Sequence, residues 1–225
     1  MAEVVLEVGG AVRRFASAAG PVVALAGVDL VVERGGVVVV AGPSGSGKST
    51  LLGLAACTDR PDDGRVTIGG IDVLALRRGA RRELRRRQLG FVLPVPSDNL
   101  LTSLDAGGNL AWAARRRTDR RPTPDAIRSS FEQVGLDHAM GKRVSELSGG
   151  EQQRLAVACA LFGQPILVLA DEPTASLDGA NAELVISTLR AAANRGATIV
   201  VASHDHHVLD VADVIVRLEH GRRVA

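Results

Sequence analysis

Gly42-Pro43-Ser44-Gly45-Ser46-Gly47-Lys48-Ser49-Thr50 follows the continuous apolar run Val37–Ala41 and precedes Leu51–Ala56, a segment with the composition of a helix. This stretch fits the pattern G-x-x-x-x-G-K-[ST], and its flanking segments supply the strand and the helix that the pattern requires. Glycines permit a tight turn whose N–H groups converge, and the helix start adds the positive end of its dipole. The stretch therefore predicts a loop that cradles phosphates. A glycine-rich turn before a core helix is the alternative interpretation.

The loop also predicts which of its side chains meet a nucleoside triphosphate. The Lys48 ammonium is expected to reach the β- and γ-phosphates, and the Ser49 hydroxyl is expected to ligate Mg²⁺. The other loop residues expected to contact the nucleotide are Gly42, Pro43, Ser44, Gly45, Ser46, Gly47 and Thr50.

Composition limits the class of protein. The 225 residues allow one or two domains, and a hydrophobic content of 46% is enough for a sizeable core. Because aromatic residues make up only 2% of the chain, that core must consist of Val, Leu, Ile and Ala. The net charge of +2 is too small for a dedicated nucleic-acid binder, so no nucleic-acid partner is expected.

Cysteine usage and hydropathy indicate the compartment. Cys57 and Cys159 form neither a disulfide framework nor a zinc-binding spacing, which suits a reducing environment. Met1–Val8 carries Glu3 and Glu7 and does not have the pattern of a signal peptide. No apolar run approaches the roughly 20 residues that cross a bilayer, so any membrane role is expected to depend on a partner.

Strand-like and helix-like segments alternate along most of the chain. This predicts an α/β fold with a mostly parallel sheet and an antiparallel β portion near the N-terminus. The expected strands are Val4–Val8, a pair within Val22–Val32 that turns near Gly27, Val37–Ala41, Arg65–Ile68, Leu89–Leu93, Ile166–Ala170, Ala197–Ala202 and an edge strand, Val214–Leu218, that turns at His220-Gly221. The expected helices are Arg77–Arg87, Leu100–Arg117, Pro124–Val134, Gly150–Phe162, Ala180–Asn194 and His206–Val211.

The segment Arg77–Arg87 is densely basic and has few apolar residues. We expect a solvated helix, although a basic amphipathic helix can also bind an acidic partner or membrane headgroups.

A helical block rich in Ala and Arg separates the two β-containing parts of the chain. We interpret it as a helical subdomain, residues 94–163, inserted into an α/β core made of residues 1–93 and 164–225. The whole chain, 1–225, is then a single domain. Trp112 lies in this block; core packing is the default expectation for its side chain, and contact with a partner is the alternative.

The predicted strand Ile166–Ala170 runs directly into two carboxylates, Asp171 and Glu172. A carboxylate at the end of a strand beside a phosphate loop can hold Mg²⁺, the role expected for Asp171. Glu172 would then orient and deprotonate the attacking water. Strands often stop at acidic residues by chance, so this prediction depends on the phosphate loop.

The segment Leu147–Arg154 reads Leu-Ser-Gly-Gly-Glu-Gln-Gln-Arg and is a second glycine-bearing helix start. Ser148 is expected to cap this helix, and free N–H groups there can bind anionic oxygen. Ser148 and Glu151 also have the spacing of an ordinary capping box, and the two roles are compatible. Two helix starts suited to phosphate, combined with one nucleotide motif, suggest that they meet across a dimer.

In their order, these motifs resemble those of the ATPase subunits of ABC transporters over essentially the whole chain. Besides the segments above, Ser176–Asp178 resembles the family's D-loop and Ser203–Asp205 resembles its switch-histidine motif. The resemblance implies a P-loop NTPase core with an inserted helical subdomain. Within the family, the chain is similar to the small ATPases of lipoprotein-releasing, macrolide-export and cell-division transporters.

The resemblance also implies how the chain binds and hydrolyses ATP. Two chains, either identical or related, would enclose two ATP molecules head to tail, so that the phosphate loop of one faces the Ser148 helix start of the other. The residues implied in nucleotide binding outside the phosphate loop are Phe15, Ser148, Gly149, Gly150 and Asp178. Phe15 occupies the position of an aromatic that stacks on adenine. The catalytic residues implied are Lys48, Glu172 and His204, with His204 at the γ-phosphate.

One position departs from the family pattern. After the strand that corresponds to Leu89–Leu93 the family usually has Gln, which touches Mg²⁺ and relays nucleotide state to the membrane partner, whereas this chain has Pro94. Proline has no side-chain donor or acceptor. We hypothesise that water, Asp98 or Asn99 completes the Mg²⁺ coordination and that hydrolysis or coupling is altered.

The resemblance implies an ATP-driven motor on the cytoplasmic face of the cell membrane, attached through a separate permease. An alternative is a nucleotide-gated regulator of a membrane partner that controls cell-wall enzymes, as in the cell-division members. A soluble family member that acts on ribosomes or DNA is disfavoured, because those usually carry two cassettes or a long coiled-coil insertion, and this sequence has neither.

Overall fold

The computed structural model describes residues 3–18 and 20–224. Its strands are β1 (Val4–Phe15), β2 (Val22–Glu33), β3 (Gly36–Ala41), β4 (Asp63–Ile68), β5 (Ile71–Asp72), β6 (Leu89–Val92), β7 (Leu167–Asp171), β8 (Thr198–Ser203), β9 (Val214–Glu219) and β10 (Arg222–Val224). Its α-helices are α1 (Lys48–Ala55), α2 (Arg78–Gln88), α3 (Ala106–Thr118), α4 (Pro124–Gln133), α5 (Gly149–Leu161), α6 (Gly179–Asn194) and α7 (His206–Asp210). Short 3₁₀ helices span Pro96–Asn99, Asp137–Ala139 and Val144–Glu146.

The larger sheet has the strand order β10-β9-β3-β8-β7-β6, and its strands other than β10 run parallel to one another. Alternate residues of β3 and β7 join apolar clusters on opposite faces of this sheet, which is why both strands are continuous apolar runs. The smaller sheet, in the order β2-β1-β4-β5, is antiparallel. The expected α/β fold, with a mostly parallel sheet and an antiparallel portion near the N-terminus, is confirmed.

The prediction of two strands within Val22–Val32 is wrong, because β2 is one continuous strand. Its register with β1 shifts at Gly27, which is an extra residue between two paired positions. The φ of Gly27 is +86°, a conformation that glycine adopts without strain, so this glycine forms a bulge rather than a turn. The partner strand β1 continues to Phe15, well beyond the expected end at Val8.

Two other expectations are also wrong, one about where a helix begins and one about which strand lies at the sheet edge. Helix α3 begins at Ala106 rather than Leu100, because the Asp105 carboxylate caps it by accepting a hydrogen bond from the Gly108 N–H at 2.6 Å. The strand expected at the sheet edge, β9, turns at His220-Gly221 as predicted, but it is internal because the chain then adds β10 outside it. A helix cap explains the late start of α3, and the β9–β10 hairpin explains the internal position of β9.

A third apolar cluster lies among α3, α4 and α5, the helices of the expected helical subdomain. Its largest fully buried side chains are Phe131, Leu110, Leu136 and Leu155. Helix α5 also packs closely on β6, since a Cβ atom at Gly90 would lie 2.3 Å from the Ala160 carbonyl oxygen. Because α5 takes part in both packing units, the division of the chain at residues 94 and 163 stays a prediction.

Trp112 is a surface residue, so the expectation of core packing is wrong. Its side chain is 42% exposed, and the Arg116 guanidinium lies 4.6 Å from the centroid of its ring. The buried stripe of α3 is formed by Ala106, Leu110 and Ala114, and Trp112 lies off this stripe.

The basic helix α2 is solvated, as expected. Leu84 is its one buried residue. In the part of the chain that the structure describes, no helix combines the length and the apolar character needed to cross a membrane.

Candidate active site

Three chain segments meet beside the carboxyl end of the larger sheet. The phosphate loop, residues 42–50, follows β3, while Asp171 ends β7 and Ser203 ends β8. Strand β8 pairs in parallel with both β3 and β7, so the three strand ends lie side by side. Open α/β sheets bind their ligands at this edge. The fold thus brings together the loop and the acidic pair that the sequence singled out.

The phosphate loop turns at Gly47, directly before α1. The φ of Gly47 is +103°, and a Cβ atom there would lie 2.5 Å from the Ala24 carbonyl oxygen, so only glycine fits. Within the described residues, no side chain caps the start of α1. The first N–H groups of this helix are therefore available to an anion.

The turn between β9 and β10 supports the phosphate loop from the C-terminal end of the chain. The Gly221 N–H donates to the Ser46 carbonyl oxygen at 3.1 Å, and the Ala26 N–H donates to the Gly221 carbonyl oxygen at 2.8 Å. The Ser46 hydroxyl is buried and has no hydrogen-bond partner among the described residues. An unpaired buried hydroxyl in this loop fits a site that receives polar ligand atoms. The loop residues Pro43, Ser44 and Gly45 are exposed, and Gly42 and Thr50 are half-buried.

The Lys48 side chain folds back over the phosphate loop and is held there by backbone carbonyl oxygens of the loop. The Nζ atom donates to the carbonyl oxygens of Gly42 at 2.8 Å and Pro43 at 3.1 Å. It also lies 3.5 Å from Oε1 of Glu172. Because the Lys48 side chain is buried, its ammonium needs such partners, and phosphate oxygens can replace the loop carbonyls.

Ser49 and Asp171 form the pair of oxygen donors expected at a metal site. The Ser49 hydroxyl donates to Oδ1 of Asp171 at 3.1 Å. Burial raises the pKa of Asp171, and the neighbouring charge of Glu172 acts in the same direction. A hydroxyl and a carboxylate are hard ligands that suit Mg²⁺, and a partial set of this kind fits an ion that also binds phosphate oxygens. Across residues 3–18 and 20–224, no group of three or more His, Cys, Asp or Glu side chains could hold a metal ion.

Glu172 has a left-handed backbone conformation, with a φ of +43°, which is uncommon for a residue other than glycine. Its N–H donates to the Ala202 carbonyl oxygen at 2.9 Å. Its Oε2 accepts a hydrogen bond from the Ser203 hydroxyl at 3.3 Å, and its Oε1 lies 2.9 Å from Nδ1 of His204. Neighbouring side chains therefore fix the direction of this carboxylate beside the phosphate loop.

The helix start at Ser148 forms the capping box that the sequence allows. The Ser148 hydroxyl accepts a hydrogen bond from the Glu151 N–H at 3.2 Å, and Oε2 of Glu151 accepts one from the Ser148 N–H at 2.8 Å. This bond, together with the contact of His138 at 2.7 Å, lowers the pKa of Glu151 to about 2. Ser148 and Gly149 remain exposed, whereas Gly150 is buried.

Gly150 joins the Ser148 helix start to the segment of Asp178. A Cβ atom at Gly150 would lie 2.3 Å from Cγ of Asn181, so the Asn181 amide would have to shift to admit a side chain at this position. Asp178 caps α6 by accepting from the Asn181 N–H at 2.9 Å, and it also accepts from the Asn181 side-chain amide. Asn181 was not predicted as a site residue. In the sequence, only its position three residues after the capping Asp178 indicates that Asn181 contacts this segment.

Phe15 ends β1 and is 41% exposed. The Arg13 guanidinium lies 4.6 Å from the centroid of its ring. Arg13 is itself held by Asp59 at 2.9 Å and Asp62 at 3.0 Å. Arg13 was not among the predicted site residues, although its two-residue spacing from Phe15 puts both on one face of the strand.

The segment around Pro94 is held by Asn99, one of the side chains hypothesised to complete the Mg²⁺ coordination. The Asn99 amide accepts a hydrogen bond from the Leu93 N–H at 2.7 Å and donates to the carbonyl oxygens of Leu93 and Val95 at 3.1 Å. Asn99 therefore holds its own loop together. Asp98, the other candidate, is exposed.

Comparisons with known proteins agree with this geometry. A family profile described as ABC transporter matches residues 25–175. The lipoprotein-releasing system ATP-binding protein LolD of Hyphomonas neptunium is 39% identical, over 100% of this chain and 98% of that protein. The macrolide export ATP-binding/permease protein MacB of Vibrio parahaemolyticus is 36% identical, over 100% of this chain and 34% of that protein. A solved dimeric, post-hydrolysis state of the ATP-binding cassette MJ0796, bound to ADP and Pi, has a TM-score of 0.89 at 29% identity, over 98% of this chain and 97% of that one.

Proposed function

The chain belongs to the ABC transporter family as an ATP-binding subunit with ATPase activity, and we propose that it forms half of an ATP-driven dimer that powers a separate membrane permease. The names of the relatives support two kinds of transport, lipoprotein release and macrolide export. We propose that the transporter is of one of these kinds.

One observation carries the proposed mechanism. The Glu172 carboxylate lies within 3.5 Å of Lys48 Nζ and 2.9 Å of His204 Nδ1, directly beside the hydrogen-bonded pair Ser49 and Asp171. Phosphoryl transfer to water requires a cation that binds phosphate, ligands for a metal ion and a carboxylate in a fixed position. Lys48 supplies the cation, Ser49 and Asp171 supply metal ligands, and Glu172 supplies the carboxylate.

In the proposed reaction, Lys48 and the N–H groups at the start of α1 hold the triphosphate. Glu172 accepts a proton from a water molecule while the water oxygen forms a bond to the γ-phosphorus. The bond between the γ-phosphorus and the β–γ bridging oxygen breaks, and that oxygen leaves with ADP. His204 and Ser203 keep the Glu172 carboxylate in place, and His204 is available to the γ-phosphate.

Ser49 and Asp171 would hold the Mg²⁺ that accompanies ATP. When bound, this ion would supply positive charge that neutralises part of the triphosphate charge. The buried Asp171 remains compatible with that role, because a neighbouring cation favours its ionised form.

We propose that the second half of each ATP site comes from another chain, either a second copy or a related ATPase. The residues that would contribute across the dimer are Ser148, Gly149, Gly150 and Asp178. Ser148, Gly149 and Asp178 are exposed at helix starts, where free N–H groups favour anionic oxygen. The dimeric assembly named for the similar cassette bound to ADP and Pi also supports this arrangement.

We further propose a peripheral position on the cytoplasmic face of the membrane. The chain spans about a third of the MacB relative, whose name includes a permease, but nearly all of the LolD relative, which is named only for ATP binding. We propose that the permease is a separate chain, as the name of the LolD relative, a system ATP-binding protein, suggests. The helical subdomain, residues 94–163, would pass the movement of the dimer to that permease.

Substitution of the proposed base tests the mechanism. Glu172→Gln should lower the turnover of ATP by about 10²–10⁴-fold, the usual contribution of a general base, and should accumulate an ATP-bound dimer detectable by light scattering. Glu132→Gln, at an exposed position on α4, is the matched control and should behave as the wild type. Wild-type turnover in Glu172→Gln would exclude Glu172 as the base, and a monomer at saturating ATP would exclude the dimer.

A further inference from the structure

Gln153 is a completely buried polar side chain on α5 that touches two sides of the site. Its Nε2 donates to the Pro173 carbonyl oxygen at 3.0 Å and to the Leu93 carbonyl oxygen at 3.3 Å. Pro173 directly follows Glu172, and Leu93 directly precedes Pro94. One amide group thus connects the strand end that carries the proposed base with the segment that departs from the family pattern.

The chemistry of these partners fixes the orientation of the amide. Both partners are carbonyl oxygens, which only accept hydrogen bonds, so the NH₂ group must face them. The Oε1 atom is then buried, and it has no hydrogen-bond partner within the described parts of the chain. An apolar side chain of similar length would fill the same space, but it would leave the Pro173 carbonyl oxygen without the Gln153 donor. Packing alone therefore does not explain a glutamine at this position.

Gln153 lies on the helix whose start carries Ser148 and Gly150. Five residues of α-helix span about 7.5 Å, so one short rigid segment reaches from that start to the two carbonyl oxygens. A displacement of the helix start would move the Gln153 amide with it. The Pro173 carbonyl oxygen, and with it the backbone of Glu172, would follow.

We propose that Gln153 is a positioning residue that couples α5 to the proposed base, Glu172, and to the Pro94 segment. The inference rests on the proposed function, in which Ser148 and Gly150 meet the ATP of the partner chain. Gln153 meets this segment at the Leu93 carbonyl oxygen, a backbone atom, so the contact does not depend on a side chain at position 94. Closure of the dimer on ATP then sets the direction of the Glu172 carboxylate through Gln153.

The test is the substitution Gln153→Met, which keeps the length of the side chain and removes the donor. The kcat for ATP should fall about ten- to hundredfold, the effect of misplacing a catalytic group, while KM changes less than about threefold. Gln153→Leu is a second variant with the same expectation. The matched control is Asn109→Leu, because Asn109 is also a buried amide that donates to backbone carbonyls, namely those of Leu101 and Asp105, but none of its partners belongs to the site. This control should lose thermal stability and keep its kcat.

A double-mutant cycle with Glu172→Gln separates positioning from general damage. If Gln153 acts through Glu172, adding Gln153→Met to Glu172→Gln should cause no further loss of turnover. The ATP-bound dimer of Glu172→Gln should also persist in the double variant. A multiplicative loss of turnover, an unchanged kcat in folded Gln153→Met and Gln153→Leu, or an equal loss in Asn109→Leu would each overturn the inference. A wild-type chain that fails to dimerise with ATP would instead contradict the proposed function on which it rests.

Discussion

Nδ1 of His204 lies 2.9 Å from Oε1 of Glu172, and the same carboxylate oxygen lies 3.5 Å from Nζ of Lys48. The proposed base is thus placed between an imidazole and an ammonium. Removing either neighbour should have a different kinetic effect, because Lys48 is proposed to bind the triphosphate whereas His204 orients the base.

His204→Ala is expected to lower kcat by about ten- to hundredfold with a smaller change in KM, because the Glu172 carboxylate loses a fixed orientation. Lys48→Ala is expected to weaken ATP binding itself. Steady-state kinetics together with ATP titration by calorimetry distinguish the two effects. His206→Ala, an exposed histidine two positions away, is the control. Equal effects on kcat and ATP affinity in both variants would contradict the separation of roles.

Gly150→Ala is expected to destabilise the nucleotide-free chain by about 1–3 kcal/mol, the usual effect of overpacking. Its Cβ atom would lie 2.3 Å from Asn181, whereas a Cβ atom at the neighbouring Gly149 would have no atom within 4 Å. Thermal unfolding should therefore separate Gly150→Ala from its control, Gly149→Ala. Adding Asn181→Ala should recover part of the loss. Identical melting temperatures for the two glycine variants would refute this packing argument.

Phe15→Ala is expected to weaken ATP binding by about 0.5–1.5 kcal/mol, which is roughly a two- to tenfold rise in the dissociation constant. Arg13→Gln should have a smaller effect in the same direction, because the Arg13 guanidinium supports the ring at 4.6 Å. Calorimetric titration with ATP measures both. Val31→Ala, at an exposed position of β2, is the control. An unchanged dissociation constant in Phe15→Ala would remove this residue from the adenine site.

The capping box at Ser148 should make stability depend on pH in the acidic range. The pKa of Glu151 is lowered from 4.5 to about 2, chiefly by the Ser148 N–H and then by His138. A carboxyl group with a lowered pKa in the folded state contributes stability above its unfolded pKa, and this contribution disappears as the pH falls through the folded value. The stability difference between wild type and Glu151→Gln should therefore be greatest above pH 4.5 and shrink toward pH 2.

Denaturant unfolding without nucleotide, repeated across this pH range, measures the difference. Glu183→Gln, exposed on α6, provides the baseline. A difference that stays constant from pH 6 to pH 3 would show that the charge of Glu151 contributes nothing to the cap.

Pro94→Gln is expected to change the Mg²⁺ dependence of ATP hydrolysis, because it adds a side-chain oxygen where the family usually has one. Asn99 already holds its own loop and Asp98 is exposed, so we expect the added glutamine oxygen at position 94, rather than either of them, to change the Mg²⁺ site. ATPase assays across a Mg²⁺ titration, with and without the membrane partner, measure the change. Unchanged turnover, Mg²⁺ dependence and partner stimulation would refute the hypothesis that Pro94 alters coupling.

The sequence predicted those parts of the site that depend on local pattern. The phosphate loop and the pair Asp171-Glu172 each follow a buried strand, and parallel pairing then brings the strand ends together. Gln153 and Asn181 could not be found in this way. Their contacts join residues far apart in the sequence, and the packing of α5 decides which atoms they meet.

The errors in the fold have similar physical causes. A glycine such as Gly27 suits both a turn and a bulge, and only the pairing of β2 with β1 decides between them. The exposure of Trp112 likewise depends on which face of α3 is covered by its neighbours. Local sequence contains neither piece of information.

The bond between Gly221 and Ser46 has a consequence for how the protein is made. During synthesis the phosphate loop leaves the ribosome before α1, whereas the β9–β10 turn that supports it leaves only after β8. Domains generally fold as units during synthesis. The nascent chain therefore carries a phosphate loop without this support until the β9–β10 hairpin docks, and we expect ATP to stabilise the domain only once that hairpin is in place.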